Sequence, residues 1–330
     1  MALRGTLLLT EAVIISPTAV GLPQMPGIWS EPQIAAWRQI VDAVHTKGSY
    51  IFCQLAHFGR AALPEFMAQR GLDIVGPSAI PMNSTSPTPR ALSESEIRGV
   101  VADFALAAQN AVEKAGFDGV EIHGANGYLV DQFIQDMSNQ RSDVWGASVQ
   151  NRSRFALEIA KAVVGAVGES RTGIRLSPWS AFQNMRMADP LSQFEYLVNE
   201  FADMGLAYIH LIEPQVAADS TAEMDDSNLS EEGSNVSLVE AWSRTSRPAL
   251  LAGGFTAQTA RDAVEKTYRD QNVAVVFGRH FTSNPDLVFR IKTGIKLTPY
   301  ERAAFYDMGN PQGYVTYAFS DEFLQVQAGA

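Results

Sequence analysis

A histidine, an asparagine and a tyrosine follow one another closely after a short apolar segment of the sequence. Residues 119–128 read Gly-Val-Glu-Ile-His-Gly-Ala-Asn-Gly-Tyr, which places His123, Asn126 and Tyr128 in a glycine-punctuated turn after the predicted strand Gly119–Ile122. The imidazole and the amide can both donate hydrogen bonds to one carbonyl oxygen, and the phenol can deliver a proton. The spacing therefore indicates chemistry on an unsaturated carbonyl compound, provided that the end of the strand faces a pocket.

Apolar segments predicted as strands alternate with amphipathic segments predicted as helices along the whole chain. The predicted strands are continuous apolar runs, which is typical of parallel strands covered on both faces. The first helix begins after Ser30, where Gln33 completes a capping box, and it ends before Gly48. Strands are predicted at Thr6–Ile15, Tyr50–Leu55, Gly119–Ile122, Gly173–Leu176, Tyr208–Ile212, Ala249–Ala252 and Val273–Phe277, and later helices at Glu94–Ala115, Arg152–Val167, Ser192–Met204, Leu238–Trp242, Ala257–Lys266 and Pro285–Thr293.

This alternation gives about seven βα units with no break in composition, which predicts a single domain over residues 1–330. A (β/α)8 TIM barrel is the closed arrangement of such units, and a doubly wound open sheet is the alternative. Because residue 1 lies almost on the first strand, we expect a barrel that is incomplete at its N-terminus. Barrel active sites lie at the C-terminal ends of the strands, which is where the turn with His123 is placed.

Charge and cysteine content exclude several classes of function. The chain has 25 Lys and Arg residues against 36 Asp and Glu residues, a net charge of −11 and no basic run, which argues against nucleic-acid binding. No apolar run is long enough to span a membrane, and the apolar start is too short for a secretory signal. The single cysteine, Cys53, excludes an intramolecular disulfide and favours a cytoplasmic location, and no spacing of ligands indicates a metal site.

The last two predicted strands end in residues suited to phosphate. Gly253 and Gly254 end one strand, and Gly278 and Arg279 end the next. Glycine lets the backbone approach an anion closely, and arginine adds a bidentate charge. Phosphate sites in barrels often follow the last two strands, so the pairing predicts a phosphate-binding site.

Two further polar residues interrupt apolar strands, Gln54 and Arg175. Each side chain could equally satisfy a neighbouring backbone group or carboxylate. Inside a barrel and beside a phosphate site, both together suggest a bound heteroaromatic cofactor, because the amide can hydrogen-bond a pyrimidine-like edge and the arginine can stabilise negative charge on a reduced ring.

With these residues assembled, the chain resembles the old yellow enzyme family, the FMN-dependent ene-reductases, from about residue 6 to about residue 320. The strongest stretch is 116–154, and its His-x-x-Asn-x-Tyr element is specific to that family. The resemblance implies a ping-pong reaction in which NADPH reduces FMN, after which an α,β-unsaturated carbonyl compound receives a hydride at its β-carbon and a proton at its α-carbon.

The resemblance also assigns roles to individual residues. His123 and Asn126 would hold the substrate carbonyl, and Tyr128 would donate the proton. Tyr306 would line the substrate pocket. The cofactor residues implied are Gln54 and Arg175 for the flavin and ribityl chain, and Gly253, Gly254, Gly278 and Arg279 for the phosphate.

The sequence departs from the family pattern in two respects. The usual first strand and helix are missing, which amounts to roughly 60 to 70 residues of a typical barrel. The two sheet edges left unpaired favour self-association, so we expect a homo-oligomer. Ala56 and Leu22 stand where the family commonly has bulkier aromatic residues. Both changes would enlarge or reshape the substrate pocket, which predicts a bulky polycyclic natural product from secondary metabolism as substrate.

The sequence is therefore compatible with three functions. The first is flavin-dependent reduction of a C=C bond. The second is a flavin-free isomerase or cyclase that uses the same His123, Asn126 and Tyr128, a reading that the missing first unit motivates. The third is a catalytically inactive remnant or partner subunit. The long acidic segment Gln215–Asn235 is equally compatible with a lid over the active site and with a solvated, disordered loop.

Overall fold

The computed structural model describes residues 4–214, 233–307 and 309–329, except for the side chain of Tyr306. Seven of its strands form one parallel sheet in which spatial neighbours follow chain order, β1-β2-β5-β6-β7-β8-β9, and two short strands pair separately. The strands are β1 (Leu7–Ile14), β2 (Tyr50–Ala56), β3 (Val75–Gly76), β4 (Arg90–Ala91), β5 (Gly119–Gly124), β6 (Thr172–Leu176), β7 (Tyr208–Ile212), β8 (Ala249–Ala252) and β9 (Val273–Val276).

This sequential order distinguishes the two predicted architectures. A doubly wound sheet reverses its strand order at a switch point, which places helices on both faces. Here each strand of the large sheet pairs in parallel with the next one along the chain, so the sheet curls in one direction as in a barrel. The seven predicted strands are confirmed, and β5 runs two residues beyond its predicted end, so that His123 belongs to the strand.

The helices begin where the sequence provides capping side chains. Ser30 and Gln33 form the predicted capping box of α1. Ser148 caps α5, which begins at Val149, three residues before its predicted start at Arg152. The described helices are α1 (Glu31–Thr46), α2 (Pro64–Gln69), α3 (Glu94–Gln109), α4 (Leu129–Ile134), α5 (Val149–Val167), α6 (Pro190–Asp203), α7 (Val236–Ser243), α8 (Ala257–Asp262), α9 (Arg279–Ser283), α10 (Leu287–Thr293) and α11 (Asp321–Ala328). Most of the acidic segment, residues 215–232, lies outside the described residues.

The two faces of the sheet differ in chemistry. One face packs on the helices through fully buried apolar side chains such as Ile122, Leu176 and Leu211. Because side chains alternate along a strand, the residues between them point to the inner face, where Phe52, Tyr208 and Leu250 form a small apolar cluster. None of the described helices is long and apolar enough to cross a membrane.

Gly173 on β6 gives a stability prediction for the inner face. A Cβ atom there would lie 2.3 Å from Cζ of Tyr208, which fills the space in front of the glycine. Gly173→Ala is therefore expected to lower the free energy of unfolding by about 1 to 3 kcal/mol through overpacking, measured by urea denaturation. Gly165→Ala on α5 is the matched control, because a Cβ meets nothing within 4 Å there. Equal stability of the two variants would contradict the packing described.

Candidate active site

The candidate catalytic residues lie at the end of β5, where His123 belongs to the strand, and in the turn that follows it, which carries Asn126 and leads to Tyr128. Asn126 has a φ of 57° and Gly127 a φ of 72°, a left-handed pair that reverses the chain. The backbone N–H of Asn126 donates to Oγ of Ser177 at 2.8 Å, and the N–H of Gly127 donates to Oδ2 of Asp131 at 2.8 Å. Both acceptors are buried, so the turn is fixed by hydrogen bonds to the protein interior.

The structure brings His123 and Tyr128 into contact. Their ring centroids lie 5.0 Å apart with an interplanar angle of 69°. The Phe58 ring packs on Tyr128 with a centroid distance of 5.0 Å and an interplanar angle of 71°. Edge-to-face packing on both sides fixes the orientation of the phenol. Asn126 lies in the same turn and is half-buried, so imidazole, amide and phenol all lie around the C-terminal end of β5.

Burial sets the protonation state of His123, which the sequence could not decide. The side chain is 3% exposed, and its Nδ1 is buried without a hydrogen-bond partner among the described residues. Burial, followed by the positive charge of its register partner Arg175, lowers the pKa of His123 to about 3. The imidazole is therefore neutral at physiological pH and can donate only through one ring nitrogen.

This protonation state predicts a flat titration. The ring resonances of His123 are expected to show no pH-dependent shift between pH 5 and pH 8, because a pKa of about 3 leaves the ring neutral throughout that window. NMR of protein with ¹³C-labelled histidine checks this, with His123→Ala for assignment. A midpoint near 6.5 would show that the ring is solvated instead of buried.

Two further polar residues lie on the inner face: Glu121, which was missed from the sequence, and His210 on β7. Gln54 Nε2 donates to Oε1 of Glu121 at 2.6 Å, and His210 Nδ1 lies 2.8 Å from Oε2 of Glu121. All three side chains are buried. The signal was strand alternation, since Glu121 lies two residues before His123 and so on the same face of β5.

Electrostatic interactions keep Glu121 charged in spite of complete burial. Burial opposes ionisation, but the interactions with His210 and Arg175 prevail and lower the pKa of Glu121 to about 2. Burial also lowers the pKa of His210. The inner face therefore holds a carboxylate beside the guanidinium of Arg175.

The predicted phosphate residues lie at neighbouring strand ends. Gly253 and Gly254 follow β8 with φ values of 156° and 62°, and a Cβ at Gly253 would lie 2.7 Å from Cβ of Glu213. At Gly278, after β9, a Cβ would meet nothing within 4 Å, and the half-buried Arg279 opens α9. Because β8 and β9 pair, these four residues lie along one rim of the sheet, and the backbone has open space in front of it at Gly278.

The positions of Ala56 and Tyr306 do not test their predicted contact with substrate. Ala56 ends β2, is 1% exposed and belongs to the main hydrophobic core. Tyr306 belongs to a 3-10 turn, Arg302–Tyr306, and its side chain lies outside the described residues. Their contact with substrate stays a prediction. The described residues bring no three His, Cys, Asp or Glu side chains together in a way that could hold a metal ion.

Residues 2–298 match the model of the NADH:flavin oxidoreductase / NADH oxidase family. The chain belongs to this family. It is 53% identical over 332 residues to the chanoclavine-I aldehyde reductase fgaOx3 of Penicillium roqueforti, covering 99% of this chain and 86% of the relative. It is 48% identical over 327 residues to the probable inactive reductase easA of Epichloe festucae var. lolii, with 98% and 84% covered. The NADP-dependent oxidoreductase lnbE of Aspergillus flavus is 46% identical over 325 residues, with 98% and 85% covered.

Solved structures support the same assignment. Old Yellow Enzyme from Pichia sp. AKU4542 superposes with a TM-score of 0.85 at 34% identity, covering 96% of this chain and 81% of that one. Morphinone reductase superposes with a TM-score of 0.85 at 35% identity, with 96% and 84% covered. The resemblance to old yellow enzymes is confirmed, and the described fold is an incomplete (β/α)8 barrel of that family.

The residues present fit FMN, the cofactor that the family uses. Gln54 and Arg175 provide an amide and a cation on the inner face, and at the rim the backbone of Gly278 is open to an anion beside Arg279. Similarity to the NADP-dependent relative supports NADPH as the hydride donor.

Proposed function

We propose that the protein reduces the C=C bond of an α,β-unsaturated carbonyl compound with hydride from FMN and a proton from Tyr128. The contact between His123 and Tyr128 at the end of β5 carries the proposal, because it joins a carbonyl-binding donor to a proton donor. FMN supplies the hydride when it is bound. Membership of a flavin oxidoreductase family supports the redox part of the proposal.

The protein's own residues bind and protonate the substrate. Neutral His123 and Asn126 donate hydrogen bonds to the carbonyl oxygen, and so stabilise the negative charge that develops there when hydride reaches the β-carbon. Tyr128 holds a proton at Oη and delivers it to the α-carbon. Packing against Phe58 and His123 keeps the phenol in place for that transfer.

The substrate proposed is an unsaturated aldehyde or ketone from natural-product biosynthesis. The name of the similar Penicillium roqueforti reductase supports it. That the substrate is bulky is a prediction from the sequence alone, based on Ala56 and Leu22. Faster turnover of small enones than of polycyclic ones would count against the bulky substrate but not against C=C reduction.

The colour of the protein tests the proposal. Purified protein is expected to be yellow, to bleach when NADPH is added without oxygen, and to regain its colour when an α,β-unsaturated aldehyde follows. Protein that is colourless and does not bind added FMN would end the redox proposal.

A flavin-free isomerase or cyclase is the second candidate. It is favoured by similarity to a relative named a probable inactive reductase, and by a turn that can polarise a carbonyl and move a proton without any redox step. Conversion of a substrate to an isomer without NADPH would select this function. Loss of both activities would leave a catalytically inactive protein.

A further inference from the structure

The carboxylate of Glu121 connects three strands on the inner face of the sheet. One oxygen accepts from Gln54 on β2 and the other lies beside Nδ1 of His210 on β7. Glu121 is 0% exposed, Gln54 5% and His210 2%. A carboxylate with a partner on each oxygen has no freedom to rotate, so its position is fixed by the sheet.

Gly173 lies on the strand between Glu121 and His210. It is the register partner of Glu121 on β6, the strand that separates β5 from β7. Because Gly173 carries no side chain, the ring of Tyr208 occupies the space in front of it, and β6 contributes no side chain at that level. The next inner residue on β6 is Arg175, whose charge balances the carboxylate.

The bridge determines which way the Gln54 amide is turned. A carboxylate can only accept hydrogen bonds, so the amide must present its NH2 group to Glu121. The carbonyl oxygen Oε1 of Gln54 is therefore directed away from Glu121. Without such a partner the terminal torsion of glutamine is broad and roughly twofold, and either end could face a ligand.

We propose that Glu121 is a positioning residue that fixes the Gln54 amide as a hydrogen-bond acceptor for an N–H group on the flavin ring. His210 is the second anchor of the same carboxylate. The inference rests on the proposed function, since it requires that FMN binds on the inner face. It adds two residues, Glu121 and His210, that act through Gln54 without touching the cofactor.

Affinity for FMN tests the proposal through two changes at one position. Glu121→Asp keeps the negative charge beside Arg175 but withdraws the oxygens from Gln54, and Glu121→Gln keeps the length but lets either end of Gln54 face it. Both are expected to raise the Kd for FMN by about tenfold, measured by quenching of FMN fluorescence. Glu240→Asp, at an exposed position of α7, is the matched control and should leave the Kd unchanged.

A double variant shows whether Glu121 acts through Gln54. Gln54→Ala combined with Glu121→Asp is expected to bind FMN no more weakly than Gln54→Ala alone, because the second change has nothing left to orient. The visible absorption band of bound FMN should shift in the same direction in Gln54→Ala and in Glu121→Asp. A purely structural role of Glu121 would leave the band of the Glu121→Asp variant unaltered.

Each outcome has a distinct meaning. Additive losses, or wild-type affinity in Glu121→Asp with weak binding only in Glu121→Gln, would overturn the positioning role and leave Glu121 as a counter-charge. If wild-type protein itself fails to bind FMN, the proposed function fails instead. Should Glu121→Gln not fold, Glu121→Asp and its double variant still decide the question.

Discussion

Tyr128→Phe is expected to lower kcat/KM for C=C reduction by about 100- to 10,000-fold, the range typical of a lost general acid. The change removes only the hydroxyl group. The ring that packs between His123 and Phe58 is kept, so the turn and its hydrogen bonds are retained. Steady-state kinetics with an unsaturated aldehyde measures the effect.

The half-reaction with NADPH separates proton delivery from damage to the flavin site. Anaerobic bleaching by NADPH should proceed at the wild-type rate in Tyr128→Phe, because the phenol has no part in that step. Tyr50→Phe is the matched control. It removes the same hydroxyl from a residue that is 55% exposed at the N-terminal end of β2, whereas the candidate site lies at the C-terminal ends of the strands. Full activity of Tyr128→Phe would show that a group other than Tyr128 donates the proton.

Local sequence signals were sufficient for the elements of this fold. Continuous apolar runs located all seven strands of the large sheet, even though the inner face also holds buried polar residues such as Gln54, Glu121 and His210. Capping side chains such as Ser30 located helix starts. The grouping of His123, Asn126 and Tyr128 also followed locally from their spacing, whereas the ring contact between His123 and Tyr128 and the left-handed turn were seen only in the structure.

Contacts between distant strands could not be predicted in the same way. The bridge from Gln54 through Glu121 to His210 depends on the order of β2, β5, β6 and β7 and on their register. The neutral state of His123 depends on burial and on Arg175 beside it. Neither the bridge nor the neutral state of His123 can be predicted from the residue spacing within one segment of the sequence.

Ala56 shows a further limit of reasoning from residue type. The sequence predicts that a small residue there enlarges a pocket, but in the described structure Ala56 is buried in the main core. A small side chain can lie beside a cavity or fill a tight contact, and only the surroundings decide between them. Its role as a substrate contact therefore stays a prediction.

Removing both carbonyl-binding donors is expected to lower kcat/KM for the enone by at least about 1000-fold, since loss of one such donor typically costs about 100- to 1000-fold. Asn126 requires care because its φ is 57°. Alanine at that position would strain the backbone, so Asn126→Gly is the better change: it removes the amide and tolerates the left-handed conformation. His123→Ala with Asn126→Gly thus tests the donors instead of the turn.

The control removes the same two groups from exposed helix positions, His45→Ala with Asn199→Ala, and should retain wild-type kinetics. Affinity for FMN should be little changed in the active-site variant, because Gln54 and Arg175 are intact. Hydride transfer to the β-carbon makes the carbonyl oxygen negative, so the loss should appear in kcat as well as in KM. A rise in KM with unchanged kcat would mean that His123 and Asn126 bind the substrate without stabilising that charge.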